Sequence, residues 1–214
     1  MTITEKEAIK LVKKYALDLE KLDDKFKKNK SVVLAAIKSN GSALAYADVS
    51  LRKDRSFILK VVQIAGWTLE FADESFKKDR SIVLEAVKEN GYALEYSDKS
   101  FKKDRSIVLA AIKSRGEALK YADDSLRKDR SIVLAAIKRN VDALKFADVS
   151  LKKDKTIVLE AIKQDAWAIG YADKSLRKDK TIVLAAVKSE RDTFHYADES
   201  LKTDPDILKF HRGM

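Results

Sequence analysis

The stretch DRSIVLAAIKSRGEALKYADDSLRK at residues 104–128 is followed without a break by DRSIVLAAIKRNVDALKFADVSLKK at 129–153, and the two agree at 18 of 25 positions. Working outward, the leading residue recurs every 25 positions as Asn29, Asp54, Asp79, Asp104, Asp129, Asp154, Asp179 and Asp204. Residues 4–203 therefore divide into eight contiguous repeats of 25, starting at 4, 29, 54, 79, 104, 129, 154 and 179, with a tail over 204–214. A fixed period of this length is the mark of a stacked-repeat architecture. Agreement this close points either to recent duplication or to consensus construction.

Each repeat reads as short helices. Asp104 stands where a side-chain oxygen can cap the first free N–H groups, and Ile107, Val108, Ala111 and Ile112 fall on one helical face. Gly41, Gly66, Gly91 and Gly116 follow the helix, as expected of a left-handed C-cap, although Val141, Ala166 and Arg191 fill the same place elsewhere. A second, shorter helix turns Ala118, Leu119 and Ala122 inward, and Asp123 caps a final turn that carries Leu126 to the core. Helices this short are unstable alone in water, so the repeats must bury their apolar faces against one another. The expected fold is all-α: an α-solenoid of eight 25-residue repeats in one domain, with capping elements at both ends. Glu7 replaces an apolar residue in the first repeat, and Asp204-Pro205 opens a ninth helix in the tail.

The pattern D-[RK]-[ST]-I-V-L-x-A-[IV]-K-x-x-G-x-A-L-x-[YF]-A-D-x-S-L-[RK]-K resembles the repeats grouped as domain of unknown function 4116, from about Asn29 to Thr203. The resemblance implies a helical repeat array. It brings no catalytic or binding residues with it.

The composition narrows the function. The 214 residues contain no Cys, which removes disulfides, thiolate nucleophiles and Cys-ligated zinc, and the formal net charge is +10. No apolar run is long enough to span a bilayer, so a soluble intracellular, cytoplasmic protein without membrane insertion is expected. Asp at repeat position 20, from Asp23 to Asp198, could be drawn as a cation ladder, but an Asp two residues before Ser is read as a helix cap, and no metal is expected. His195, Asp198 and Ser200 can be drawn as a triad, yet that Asp and Ser recur in repeats without the His. No cofactor, small-molecule substrate or enzyme activity is inferred.

What remains is surface. Position 14 varies freely, and Trp67, Tyr92 and Trp167 stand there as candidate anchors for a protein partner. The aromatic at position 18, Tyr46 through Tyr196, is read as packing between repeats rather than as a base-stacking ladder. Positions 24, 25 and 2 form a basic loop in successive repeats, and the charge peaks over 104–153. Arg105, Arg115, Arg127, Lys128, Arg130, Lys138, Arg139, Lys152 and Lys153 are the candidates for a polyanion or nucleic-acid partner. The leading expectation is a non-enzymatic scaffold that binds a macromolecule, chiefly protein. Polyanion binding along the basic ridge is the alternative, and a regular or designed array without a biological ligand is the third reading.

Overall fold

The computed structural model describes residues 3–212, and among these every regular element is helical. The last two residues of the 204–214 cap lie outside the described residues. The repeat taken as the type is that of 129–153: an α-helix Arg130–Arg139, a 3₁₀ helix Val141–Phe146 and a short α-helix Val149–Lys152. The same sequence of elements recurs along the chain, with the last short helix becoming 3₁₀ at Leu176–Lys178 and Glu199–Leu201.

Asp129 begins the long helix by accepting from the N–H groups of Ser131 and Ile132, at 2.9 and 3.1 Å. Ile132, Val133, Ala136 and Ile137 on its inner face are fully buried, as are Ala143 and Leu144 of the 3₁₀ segment. Full burial of each large aliphatic side chain contributes roughly 1.5–3 kcal/mol, so the core of a repeat lies in the sandwich between its two helical layers and the next repeat.

The second helix is not α-helical. Its bonds close one residue earlier than those of an α-helix. Asn140 starts it by accepting from the Asp142 N–H at 2.9 Å, and the Ala143 N–H bonds the Asn140 carbonyl at 3.0 Å. Leu126, expected in the core, is only half-buried, while Leu51, Phe26 and Phe76 at the same repeat position are buried.

The glycines also differ from expectation. Gly41, Gly66 and Gly116 do not adopt positive φ, and the residue before each is extended. Their role is close approach. A Cβ on Gly116 would lie 2.6 Å from the Ala136 carbonyl oxygen of the next long helix.

The chain divides into two compact units, the first running to Ser114 and the second from Arg115. Each is a run of stacked repeats, and in each the backbone stitches consecutive repeats together. The N–H of the position-20 aspartate donates to the position-24 carbonyl of the repeat before it: Asp48 to Lys27 and Asp98 to Lys77 in the first unit, Asp148 to Arg127 and Asp173 to Lys152 in the second, at 2.9–3.0 Å. At the start of the first unit, Thr4 and Glu7 form a reciprocal capping box, which accounts for the charged residue where later repeats have an apolar one. In the second unit Asp204 caps the helix Pro205–Arg212, Ile207 is buried, and the Phe194 and His211 rings stack at 4.1 Å.

Candidate functional site

The position-20 aspartates are helix caps. Asp48 accepts from both the N–H and the hydroxyl of Ser50, at 2.9 and 2.6 Å, and these bonds hold its carboxyl below the ordinary aspartate value. The same pair recurs at Asp73, Asp98, Asp148, Asp173 and Asp198. Asp23 has Lys25 in place of the serine and makes no side-chain cap bond. Among the described residues no group of three or more His, Asp or Glu is placed to hold a metal ion. Ser200 donates to Asp198 at 2.7 Å like every other serine of this motif, while the His195 ring lies against Trp167 and Tyr196, with Nδ1 at the Asp192 carbonyl.

The basic loops are occupied by the repeats themselves. The position-2 cation reaches the leading aspartate of the next repeat: Lys30 to Asp54 at 2.6 Å, Arg55 to Asp79 at 2.9 Å, and Arg80 to Asp104 in the first unit. In the second unit Arg130 pairs with Asp154, and Lys155 with Asp179 at 2.7 Å. The Lys30 ammonium and the Arg80 guanidinium hold Asp54 and Asp104 well below the usual carboxylate range, helped by Ser56 and Ser106. Burial pushes Asp79 up, but bonds from Ser81 and Arg55 outweigh it and bring it to about 2.

Position 24 is engaged as well. Arg127 pairs with Asp124, and Lys152 Nζ donates to the Lys145 carbonyl at 2.6 Å. Arg105, Arg115 and Arg139 also make interactions within the chain. Lys128, Lys138 and Lys153 stay exposed, and the first and last of these lend positive field to Asp148 and Asp173. A continuous ridge of uncompensated charge is thus reduced to single lysines between ion pairs.

Position 14 is a seam between repeats. It meets positions 17 and 18 of the following repeat, and the pairing is chemically matched wherever the second unit resolves it. Glu117 faces Lys145 at 3.5 Å. Asp142 accepts from the Tyr171 hydroxyl at 2.7 Å, a bond that pushes that phenol up to about 12. Trp167 meets His195 at 5.8 Å and Tyr196 edge-on at 6.2 Å between ring centroids.

The three candidate anchors are placed differently. Trp67 is half-buried: its ring lies over Gly41 of the preceding repeat, where a Cβ would come within 2.7 Å of Cζ2, and it meets Phe71 edge-on at 6.0 Å. Tyr92 is half-buried and engaged within the chain. Trp167 is 42% exposed. Gly170 leaves room for the Tyr196 ring beside it, and Arg177 lies 5.4 Å from that ring while donating to the Gly170 carbonyl. Sequence reading missed two further exposed apolar residues in the first repeat, Leu17 at position 14 (44% exposed) and Tyr15 (51%). Extending the position-14 comparison to the divergent first repeat would have found Leu17.

The profile of a family described as a domain of unknown function, DUF4116, matches residues 8–52, 54–102, 104–152 and 154–202, so that the second to fourth matches each cover two 25-residue repeats. No curated protein and no solved structure matches the chain. With four tandem matches over most of its length, the chain belongs to the DUF4116 family.

Proposed function

We propose that this protein is a non-enzymatic scaffold whose repeats present an outward surface to another macromolecule, chiefly a protein. The observation that carries the reading is Trp167. An indole left 42% exposed, braced by His195 and Tyr196 on one side, is a preformed apolar anchor that a partner can bury with little loss of side-chain entropy. The polar groups around it are spent on caps and seams, so they support presentation rather than chemistry. Trp67 contributes less, because its ring is already used against Gly41.

The test is a pull-down with the full chain, Trp167→Ala and Trp67→Ala, each checked for its helical circular dichroism. Partners retained by the parent and by Trp67→Ala but lost from Trp167→Ala support the reading. Partners held equally by all three remove Trp167 as the anchor.

Polyanion binding is the second reading, and it rests on Lys128, Lys138 and Lys153, which keep exposed charge outside the inter-repeat ion pairs. Fluorescence anisotropy with labelled RNA and DNA across a salt series tests it. Affinity falling linearly with log salt, and lost on reversing these three lysines, would favour it over the protein reading.

A further inference from the structure

A second feature of the surface is independent of the position-14 seam. Position 6 is the outward flank of the long helices, and from the second repeat to the eighth it is leucine: Leu34, Leu59, Leu84 and Leu109 in the first unit, Leu134, Leu159 and Leu184 in the second, all half-buried. Their helical neighbours at positions 5 and 8 are fully buried, and position 3 is the small hydroxyl of Ser or Thr, so the leucine stands above its surroundings. Between the helices Arg130–Arg139 and Lys155–Gln164 lies an open groove of about 590 Å³, walled by Arg130, Leu134, Lys138, Thr156, Glu160 and Gln164. The Arg130 charge is met by Asp154, so it does not decide what the groove attracts.

The charges that do decide it are those of positions 7, 10 and 11. Apart from Arg139, which is engaged within the chain, these are Lys138, Lys163 and Lys188 against Glu160 on the helices Arg130–Arg139, Lys155–Gln164 and Lys180–Ser189, a net +2 that the Lys163–Glu160 pair at 3.4 Å leaves on Lys138 and Lys188. A leucine row bordered by cations is complementary to an apolar row bordered by carboxylates. Neighbouring packed helices lie about 8–10 Å apart, so the leucines repeat across the helices at that pitch. In a helix laid across them, residues i, i+7 and i+14 recur about every 10.5 Å, which fits, whereas alternate residues of an extended strand recur at less than 7 Å.

We infer that the long-helix face of the second unit, centred on Leu134, Leu159 and Leu184, docks an acidic amphipathic helix of a partner protein. The inference rests on the scaffold reading and supplies the chemistry of the partner. The binding mode is a helix on a ridged apolar face, with carboxylates reaching Lys138, Lys163 and Lys188.

The experiment uses the full chain and a fluorescently labelled synthetic 18-residue helical peptide with leucine at every seventh position and glutamates flanking that stripe. Controls are its scramble, which keeps the charge and breaks the stripe, and the version with lysine for glutamate. The acidic striped peptide is expected to bind at least tenfold more tightly than the scramble, and the lysine version not at all. Lys138→Glu with Lys163→Glu, on an exposed surface and so leaving the fold intact, should weaken it tenfold or more, and Leu159→Gln should do the same with an unchanged melting curve. Trp167→Ala should leave the peptide affinity within twofold. No binding by the striped peptide, equal binding of the scramble, or indifference to the charge reversals overturns the inference. Partners lost on Trp167→Ala in the pull-down would leave the scaffold reading standing in that case, so the two can fail separately.

Discussion

Trp67 and Trp167 stand at the same position of the third and seventh repeats, yet one is half-buried against its neighbour and the other is exposed. The difference lies in the preceding repeat. Gly41 offers Trp67 a bare backbone on which the indole lies, with no room for even a Cβ, while the equivalent residue before Trp167 is Val141, which carries a branched side chain. Trp167 turns instead toward the next repeat, where Tyr196 and His195 receive its edge and Gly170 makes room for Tyr196. A repeat position is therefore not an environment. One glycine 26 residues earlier, in the preceding repeat, decides whether an aromatic is packing or presentation.

The strongest perturbation of both regions is acid. Asp54 and Asp104 in the first unit and Asp148 and Asp179 in the second are held below the ordinary aspartate value by Lys, Arg and Ser neighbours, so the native state binds fewer protons than the unfolded chain below about pH 4. Their stabilisation is complete above that pH and is lost as pH falls through their depressed values toward 2. The urea midpoint should hold between pH 7 and 5 and drop between pH 4 and 2, with the surroundings of Trp67 and Trp167 loosening in parallel. A midpoint unchanged at pH 2.5 would mean that the caps and ion pairs carry little stability.

Gly41→Val should break the comparison from the first unit. The new side chain would strike Trp67 Cζ2 and Thr68 Cγ2 and cost about 1–3 kcal/mol, and the displaced Trp67 should become as accessible to quencher as Trp167. Val141→Gly is the reciprocal change, and it should lower Trp167 quenching. Tyr171→Phe should cost about 1 kcal/mol by removing the hydrogen bond to Asp142, a loss read as a lower melting temperature with Trp167 emission unchanged. Smallest of all, Arg130→Ala removes one partly exposed inter-repeat ion pair and should cost about 0.5 kcal/mol, with the effect vanishing in high salt.

The period of 25 made the solenoid, its repeat boundaries and most of the core legible in the sequence, because positions 4, 5, 8 and 9 must share one helical face. The caps were legible too, since Asp-x-Ser is a local pattern that needs only three residues. What lay between repeats was not. The glycine after the long helix looks like a left-handed cap until the next helix is placed 2.6 Å from where its Cβ would be, at Gly116. The basic loops look like a ridge until Arg130 is set beside an aspartate 24 residues on. Leu134 escaped notice because its neighbour Val133 is wholly inside, and a period alone does not say how far an apolar face extends round a short helix. Of the three aromatic anchors, sequence could identify the position but not the packing choice that leaves Trp167 outward and turns Trp67 against Gly41.

Acrylamide quenching of two single-tryptophan variants tests that choice most directly. Trp67→Phe leaves Trp167 as the reporter and Trp167→Phe leaves Trp67. Trp167 should give a red-shifted, readily quenched emission and Trp67 a blue-shifted, several-fold less quenched emission in the folded protein, with both converging in urea. Equal quenching of the two in the native state, or a protected Trp167, would contradict it.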